Sequence, residues 1–192
     1  MKKLLFIITG IFIFCQSFGQ NDNEKTALIL IDFQDFYFAK EKLPLVGNIE
    51  AAKTAGDLLN NLRKSDAVII HVMHEGGGDI HELVQPLEDE SIIVKCHVNA
   101  FRQTDLLSLL RENKIENLIL AGMQTHMCLE AATRAADDYG FNCTVIHDAC
   151  ATRDLDFNGH IVKAEDVHAS TLNTLRSYAK VFSLKEYLDK IQ

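Results

Sequence analysis

The feature that most constrains the fold is a series of short, unbroken apolar runs separated by helical patterns. These runs are TALILID (26–32), DAVIIHVMH (66–74), SIIVK (91–95), ENLILAG (116–122) and FNCTVIHDA (141–149). Apolar runs without alternating polar residues are typical of strands that are buried on both faces. Strands that alternate with helices favour a parallel sheet covered by helices on both sides. We therefore expect an α/β fold, a three-layer α/β/α sandwich with a mostly parallel sheet of about six strands.

The segments between and after these runs have helical periodicity. Residues 48–63 place five apolar side chains near one face of a helix: Ile49, Ala52, Leu58, Leu59 and Leu62. Residues 104–113 and 165–179 predict two more helices, and residues 179–191 predict a last strand and a final helix. A chain of 192 residues, 47% of them hydrophobic, is long and apolar enough to form one domain with its own core.

The first twenty residues, MKKLLFIITGIFIFCQSFGQ, differ from the rest of the chain. Two lysines precede an apolar stretch (4–14), and small residues follow it, which is the three-part layout of a secretory signal peptide. The apolar stretch is too short for a spanning helix, which needs about 20 residues. We expect residues 1–19 to be a cleaved signal peptide and residues 20–192 to be a periplasmic or secreted domain that is not held in the membrane. An uncleaved N-terminal anchor is the alternative.

The net charge bears on nucleic-acid binding, and the cysteine content bears on disulfide bonds. The formal net charge is −8, and loss of Lys2 and Lys3 with the signal peptide makes it −10. With no basic patch, the chain is unsuited to bind nucleic acid. The four remaining cysteines are Cys96, Cys128, Cys143 and Cys150. Their spacing does not resemble a disulfide framework, so we expect free thiols for most of them.

Three chemically active residues follow the ends of different predicted strands. Asp32 ends the first strand, Lys95 ends the third, and Cys128 begins the helix after the fourth, with Thr125 as a candidate N-cap. The carboxyl ends of parallel strands meet at one edge of a sheet, where such folds bind ligands. Each residue also has a structural alternative: a small buried cysteine, a turn-forming acid and a solvated edge lysine. We expect the three side chains to converge on one site.

These three residue types fit nucleophilic catalysis. A helix N-terminus and a nearby ammonium both lower the pKa of a thiol, which must lose its proton to attack. Asp32 could accept that proton and later pass it to a leaving amine, while Lys95 stabilises the carboxylate and the thiolate. Backbone N–H groups around Gln124 and Cys128 could hold an oxyanion.

Several motifs follow one another along nearly all of the mature chain: ALILIDFQDFYF, LPLVG, VKCHVNAF and GMQTHMCLEAATRAADDYGF, and then DACATRDL and VHASTLNTL. The first four resemble motifs of the isochorismatase-like cysteine hydrolase superfamily, and the last two resemble its bacterial Thr-His-Met-Cys subgroup. The resemblance implies an Asp32–Lys95–Cys128 triad and an α/β/α sandwich. It also implies a cis peptide bond between Met123 and Gln124 that turns backbone N–H groups toward the site.

The substrate pocket is less constrained than the triad. We predict that six side chains near these motifs line it: Gln34, Phe38, His74, Asn99, Phe101 and His126. Asp35-Phe36 replaces an Asn-Asp pair that is common in the family, and the stretch after His74, EGGGDIHELVQP, is shorter than in relatives. In the family that loop normally forms part of the pocket wall. The substrate specificity of relatives therefore cannot be transferred to this chain. We expect a small-molecule substrate and a homo-oligomer, a dimer or a tetramer.

Three histidines raise the question of a metal. Family members that act on nicotinamide carry an Asp-x-His pair and another histidine in this region, and they bind zinc or a similar ion. Here His71 and His74 are three residues apart on a strand and should point to opposite faces, and His81 follows a glycine run. We expect no metal and no cofactor.

These observations predict a hydrolase that cleaves an amide-type C–N bond through a thioester at Cys128. One alternative is hydrolysis of a vinyl ether, as isochorismatases catalyse; those enzymes do not use the cysteine in this way. The other alternative is a non-catalytic binding or scaffold protein on the same fold, which would not need to retain all three triad residues.

Overall fold

The computed structural model describes residues 25–40 and 42–191 of the chain. The predicted signal peptide, residues 1–19, lies outside these residues. None of the helices in these residues has the length and hydropathy of a transmembrane span.

Six parallel strands form the central sheet, as the apolar runs predict. In spatial order they are β3 (Ser91–Lys95), β2 (Val68–His74), β1 (Lys25–Ile31), β4 (Ile115–Met123), β5 (Asn142–Ala151) and β8 (Ala179–Phe182). The parallel arrangement places the carboxyl ends of all six strands at one edge of the sheet.

Helices cover both faces of the sheet and complete the predicted three-layer sandwich. They are α1 (Asn48–Leu62), α2 (Leu106–Glu112), α3 (Glu130–Asp138), α4 (Ala164–Leu175) and α5 (Leu184–Ile191). Helices α1 and α5 pack on one face, and α2, α3 and α4 pack on the other. The face of α1 is predicted correctly except at Ile49, which is 37% exposed because it lies in the first turn, beyond the apolar stripe.

The two cores explain why the apolar runs are unbroken. In β1, Leu28 and Leu30 face the α1 side, and Ile29 and Ile31 face the α2–α4 side, each at most 2% exposed. Burial of alternate side chains on opposite faces removes every polar position from the run. The prediction is wrong for β3, where Ile92 is 48% exposed, because β3 is an edge strand with one neighbour.

A two-stranded antiparallel hairpin follows β5 and is absent from the sequence prediction. Its strands are β6 (Leu155–Phe157) and β7 (His160–Val162). The two connecting residues, Asn158 and Gly159, have φ angles of 54° and 82°. Asn-Gly between short strands is a strong signal for a hairpin turn with two positive φ angles, so the sequence did contain the information.

Candidate active site

The carboxyl ends of β1 and β3 and the segment after β4 bring the three predicted catalytic residues together. Nζ of Lys95 donates a hydrogen bond to Oδ2 of Asp32 at 2.8 Å and to Sγ of Cys128 at 3.3 Å. Asp32, Lys95 and Cys128 are 0%, 1% and 3% exposed. An ammonium, a carboxyl group and a thiol therefore share one site from which bulk water is excluded.

The backbone at Asp32 turns its carboxyl group into this site. Asp32 has a φ of 54°, in the left-handed region that costs a non-glycine residue about 1 kcal/mol. Its N–H donates to the carbonyl of Val72 at 2.8 Å, and its carbonyl accepts from the N–H of Gln34 at 2.8 Å, which together fix the turn. In the described part of the chain, Oδ1 of Asp32 is the buried side-chain oxygen that has no hydrogen-bond partner. A lone acceptor beside a thiol is placed to receive a proton.

The end of β4 passes unusually close to β1. Gly122 has a φ of 153°, and a Cβ atom there would overlap the carbonyl oxygen of Ile31, immediately before Asp32. The peptide bond between Met123 and Gln124, which are both buried, is cis. Only glycine allows β4 to approach β1 this closely. Gly122 therefore fixes the distance between the end of β1, which carries Asp32, and the segment after β4, which carries Cys128.

Cys128 lies in a π-helical turn, Thr125–Leu129, that leads into α3. The carbonyl of Gln124 accepts from the N–H groups of Met127 at 3.0 Å and Leu129 at 3.4 Å. The predicted N-cap at Thr125 is wrong, because the wider turn makes Gln124 the N-cap, and no side chain caps it. Oγ1 of Thr125 instead pairs with Nδ1 of His168 on α4 at 2.9 Å.

The ionisation of Cys128 also differs from the prediction. Burial, the largest influence, together with the charge of Asp32, raises the pKa of the Cys128 thiol to about 12, although Lys95 opposes the shift. The expected low pKa is therefore not found, and the thiol carries its proton in the resting site at neutral pH. Deprotonation has to accompany attack on a substrate.

Burial also changes the pKa of Asp32, the group proposed to accept the thiol proton. Desolvation raises the pKa of the Asp32 carboxyl group, and the Lys95 ammonium lowers it only in part. A carboxylate with a raised pKa is a stronger base than an exposed one. Burial thus disfavours the charged forms of both Asp32 and Cys128, and Lys95 favours them in both.

Two of the six predicted pocket residues, Gln34 and His74, line a cleft of about 270 Å³ near the carboxyl ends of β1 and β2. The amide of Gln34 is already used by the protein: Nε2 donates to the carbonyls of His74 at 3.1 Å and Gly78 at 2.8 Å, and Oε1 accepts from the N–H of His74 at 2.6 Å. Gln34 therefore holds the loop after β2 in place. His74 is half-buried, and Nδ1 of its ring lies 3.1 Å from the carbonyl oxygen of Glu75.

Three other predicted pocket residues have mainly structural contacts. Phe101 is a core residue, 6% exposed, whose ring packs against those of Tyr139 and Phe141 in the apolar layer under α2–α4, and its place in the pocket stays a prediction. Phe38 stacks on the ring of His81, with 3.9 Å between centroids. Oδ1 of Asn99 accepts from the N–H of Phe101 at 2.9 Å and so stabilises the turn after β3.

The histidines occupy separate environments. Nδ1 of His126 lies 2.6 Å from Oγ1 of Thr152, and burial, followed by the charge of Arg153, lowers the pKa of His126. His71 is buried away from the cleft, and its Nε2 lies 3.0 Å from Oε2 of Glu90. Across residues 25–40 and 42–191, no group of three or more His, Cys, Asp or Glu residues could hold a metal ion.

Two site residues are absent from the sequence prediction, Tyr37 and Arg153. Nε2 of Gln124 donates to Oη of Tyr37 at 3.4 Å, and Nε of Arg153 donates to Oε1 of Gln124 at 3.2 Å. Tyr37 is next to Phe38, and only the geometry of the 3₁₀ turn Asp35–Tyr37 decides which ring reaches the site. Arg153 follows the end of β5, so the rule that selected Asp32 and Lys95 could have found it.

Comparison with known proteins agrees with this architecture. The family model described as "Isochorismatase domain" matches residues 26–185. The isochorismatase family protein YddQ of Bacillus subtilis is 40% identical over 177 residues, covering 85% of this chain and 98% of the relative. A crystal structure of an isochorismatase hydrolase from Oleispira antarctica is 41% identical, with a TM-score of 0.83, and covers 89% of this chain and 100% of that one.

A more distant relative has a named activity. Maleamate amidohydrolase from Pseudomonas putida is 25% identical over 159 residues, covering 69% of this chain and 75% of the relative. The domain match and the two relatives above 30% identity establish the family. The chain belongs to the isochorismatase family of hydrolases.

Proposed function

We propose that this isochorismatase-family hydrolase cleaves an amide-type C–N bond in a small molecule through a thioester at Cys128. One observation carries the proposal: the buried Lys95 ammonium donates to Oδ2 of Asp32 at 2.8 Å and to Sγ of Cys128 at 3.3 Å. A cation that contacts both groups stabilises negative charge on whichever of them is ionised. The proton can therefore move between the thiol and the carboxylate without leaving an isolated buried charge.

The reaction has two halves. In the first, Asp32 accepts the thiol proton, the sulfur of Cys128 attacks the amide carbonyl carbon, and the carbonyl oxygen becomes an oxyanion. The C–N bond then breaks, and the leaving nitrogen takes the proton from Asp32. In the second half, Asp32 accepts a proton from water, the resulting hydroxide attacks the thioester, and the carboxylic acid leaves as the thiol is restored. Backbone N–H groups near Gln124 and Cys128 are the proposed oxyanion donors.

Three features support a C–N bond over the alternatives. The thiol is buried beside a base and a cation, a costly arrangement that vinyl ether hydrolysis without a cysteine nucleophile would not need. The amidohydrolase relative acts on an amide by its name, and it shares the family with this chain. A scaffold protein gains nothing from an unpaired, buried Asp32 oxygen.

The test is a screen of small amides, ureas and lactams, including maleamate, against the wild type and Cys128→Ala. We expect hydrolysis by the wild type and none by Cys128→Ala, with the melting temperature retained. Cys96→Ala is the matched control, because Cys96 is exposed and should be dispensable. Equal turnover by Cys128→Ala and wild type would refute the assignment.

A further inference from the structure

The turn that carries Cys128 is anchored to a helix that is distant in the sequence. The first residue of the turn, Thr125, is fully buried, and its Oγ1 lies 2.9 Å from Nδ1 of His168 on α4. No side-chain hydrogen bond caps the turn at Gln124. The contact between Thr125 and His168 is therefore a side-chain anchor at the start of the turn, one helical turn before the nucleophile.

The direction of this hydrogen bond can be deduced from the surroundings of His168. Burial, followed by the charge of His147, lowers the pKa of His168, so the ring is predominantly neutral at neutral pH and carries one proton. The ring also borders a cleft of about 240 Å³ that is lined by three acids, Glu50, Asp148 and Glu165. Carboxylates accept hydrogen bonds but do not donate them, so they favour the ring proton on Nε2. Nδ1 is then the acceptor, and the hydroxyl group of Thr125 donates to it.

The stability of α4 does not depend on this hydrogen bond, because apolar side chains already hold the helix in place. Val167, Leu172 and Leu175 are at most 9% exposed. Apolar burial is strongly stabilising but has no preferred direction, whereas a hydrogen bond fixes the distance and the angle between two groups. The distinctive contribution of the buried hydroxyl–imidazole pair is therefore the alignment of the turn against α4.

Alignment matters at this turn because two parts of the proposed reaction depend on it. The turn carries Sγ of Cys128, which accepts a hydrogen bond from Nζ of Lys95 at 3.3 Å, and it carries backbone N–H groups that are proposed to hold the oxyanion. A displacement of about 1 Å between reacting groups can lower a rate by about 10²-fold. A small shift of the turn should therefore affect the reaction more than it affects the fold.

We propose that Thr125 and His168 are positioning residues, whose hydrogen bond holds the turn Thr125–Leu129 so that the thiol and the oxyanion donors meet the same carbonyl group of the substrate. The inference rests on the proposed function for its effect on the reaction, but the anchoring of the turn is independent of it. Both residues act through the backbone of the turn rather than by contact with the substrate.

Steady-state kinetics with an amide found in the screen test the positioning role. Thr125→Val keeps the shape of the side chain but removes the hydroxyl group, so kcat should fall by about 10- to 10²-fold. KM should change little, because an interaction that acts mainly in the transition state lowers kcat and leaves ground-state binding intact. Thr125→Ser restores the hydroxyl group and should keep most of the wild-type kcat. Unchanged kcat in Thr125→Val would overturn the proposal.

Variants of His168 test the partnership and the direction of the bond. His168→Asn supplies a side-chain oxygen near the position of Nδ1 and should keep most of kcat, whereas His168→Leu should lose as much as Thr125→Val. The double variant Thr125→Val/His168→Leu should be no worse than either single variant, because both remove one shared interaction. Thr174→Val is the matched control, since Thr174 is exposed on α4 and its Oγ1 donates to the carbonyl of Ser170 within that helix. Losses that multiply in the double variant would contradict the pair.

Hydrogen exchange followed by mass spectrometry tests the anchor without any turnover. In Thr125→Val, the amides of the turn Thr125–Leu129 should exchange about fivefold or more faster than in the wild type, because a buried hydrogen bond is lost at this place alone. Peptides from β1 and β5 should exchange at wild-type rates, and Thr174→Val should resemble the wild type throughout. An unchanged turn, or an equal increase along the whole chain, would refute the anchor.

The two measurements separate this inference from the proposed function. Faster exchange confined to the turn, together with no hydrolysis of any amide by the wild type, would refute the proposed reaction and retain the anchor. Hydrolysis by the wild type, together with an unchanged turn in Thr125→Val, would retain the reaction and refute the positioning pair.

Discussion

At the scale of single residues, the site depends on how protons are shared between buried groups. Burial raises the pKa values of both Asp32 and Cys128, and Lys95 opposes both shifts. The identities of the three residues follow from the sequence, because each lies at the end of a strand or just after it. The direction of the thiol pKa does not follow, because it depends on how completely the folded chain removes water from the sulfur.

Asp32→Asn separates the base from the cation. An amide cannot accept the thiol proton, so kcat should fall by about 10²- to 10⁴-fold. At the same time the negative charge beside the sulfur is lost, so the pKa of Cys128 should fall below that of the wild type. The pH dependence of iodoacetamide labelling measures this pKa. Lower turnover combined with a more acidic thiol identifies Asp32 as the base, whereas unchanged turnover would assign that role elsewhere.

Gly122 offers a residue-scale test of the contact between β4 and β1. Gly122→Ala should cost about 3 kcal/mol or more in the free energy of unfolding, because a Cβ atom there overlaps the carbonyl of Ile31. Gly140→Ala is the matched control: its φ is 82°, but the added Cβ meets open space, so the cost should be about 1 kcal/mol. Denaturant unfolding measures both. Equal costs would mean that the close approach of the two strands is not important.

At the scale of elements, a charged clamp holds the segment between β2 and β3. Arg63, the residue after α1, donates hydrogen bonds to both carboxylate oxygens of Glu90, at 2.6 and 2.8 Å. Nε2 of His71, on β2, lies 3.0 Å from Oε2 of the same carboxylate. Burial alone would raise the pKa of Glu90, but the partners, Arg63 first, lower it to about 2. The clamp fixes Glu90, the residue before β3, and so helps to position β3 and Lys95 at its end.

This clamp predicts how stability depends on pH. The pKa of Glu90 is lower in the folded state than its ordinary value of 4.5, so its contribution is complete above about pH 5 and is lost as the pH falls toward 2. Glu90→Gln should therefore lower the free energy of unfolding at pH 7, and the difference from wild type should shrink as the pH falls. Asp189→Asn, in an exposed pair with Lys185, should change stability much less than Glu90→Gln, because solvent screens the pair. A difference that is independent of pH would contradict the clamp.

The elements also show how far the sequence could predict this protein. The sheet, its helices and the meeting of Asp32, Lys95 and Cys128 follow from apolar runs and from the geometry of parallel strands. The directions of Phe101 and Tyr37 do not follow from the sequence, because a side chain's direction in a loop depends on local turns and on which apolar layer lies nearest. Asn158-Gly159 signals the β6–β7 hairpin, and the position of Arg153 just after β5 marks it by the same rule as Asp32 and Lys95, so both could have been predicted.

At the scale of the whole molecule, the fold builds a site that needs only its own side chains and water for the proposed reaction. The thiol is the nucleophile and backbone N–H groups hold the oxyanion, so no Lewis acid is required. Activity should therefore survive prolonged chelation, and metal analysis of purified protein should find no stoichiometric zinc, iron or manganese. One equivalent of metal, with activity that disappears on its removal and returns with it, would reverse this conclusion.

The most direct test of the central claim is mass spectrometry of the intact protein, acid-quenched during a single turnover of a hydrolysed amide. We predict a transient mass increase equal to that of the acyl group, located on Cys128 by peptide mapping and absent from Cys128→Ala. The adduct should disappear as the carboxylic acid forms. Substrate consumption without any acyl adduct, together with an active Cys128→Ala variant, would contradict the account.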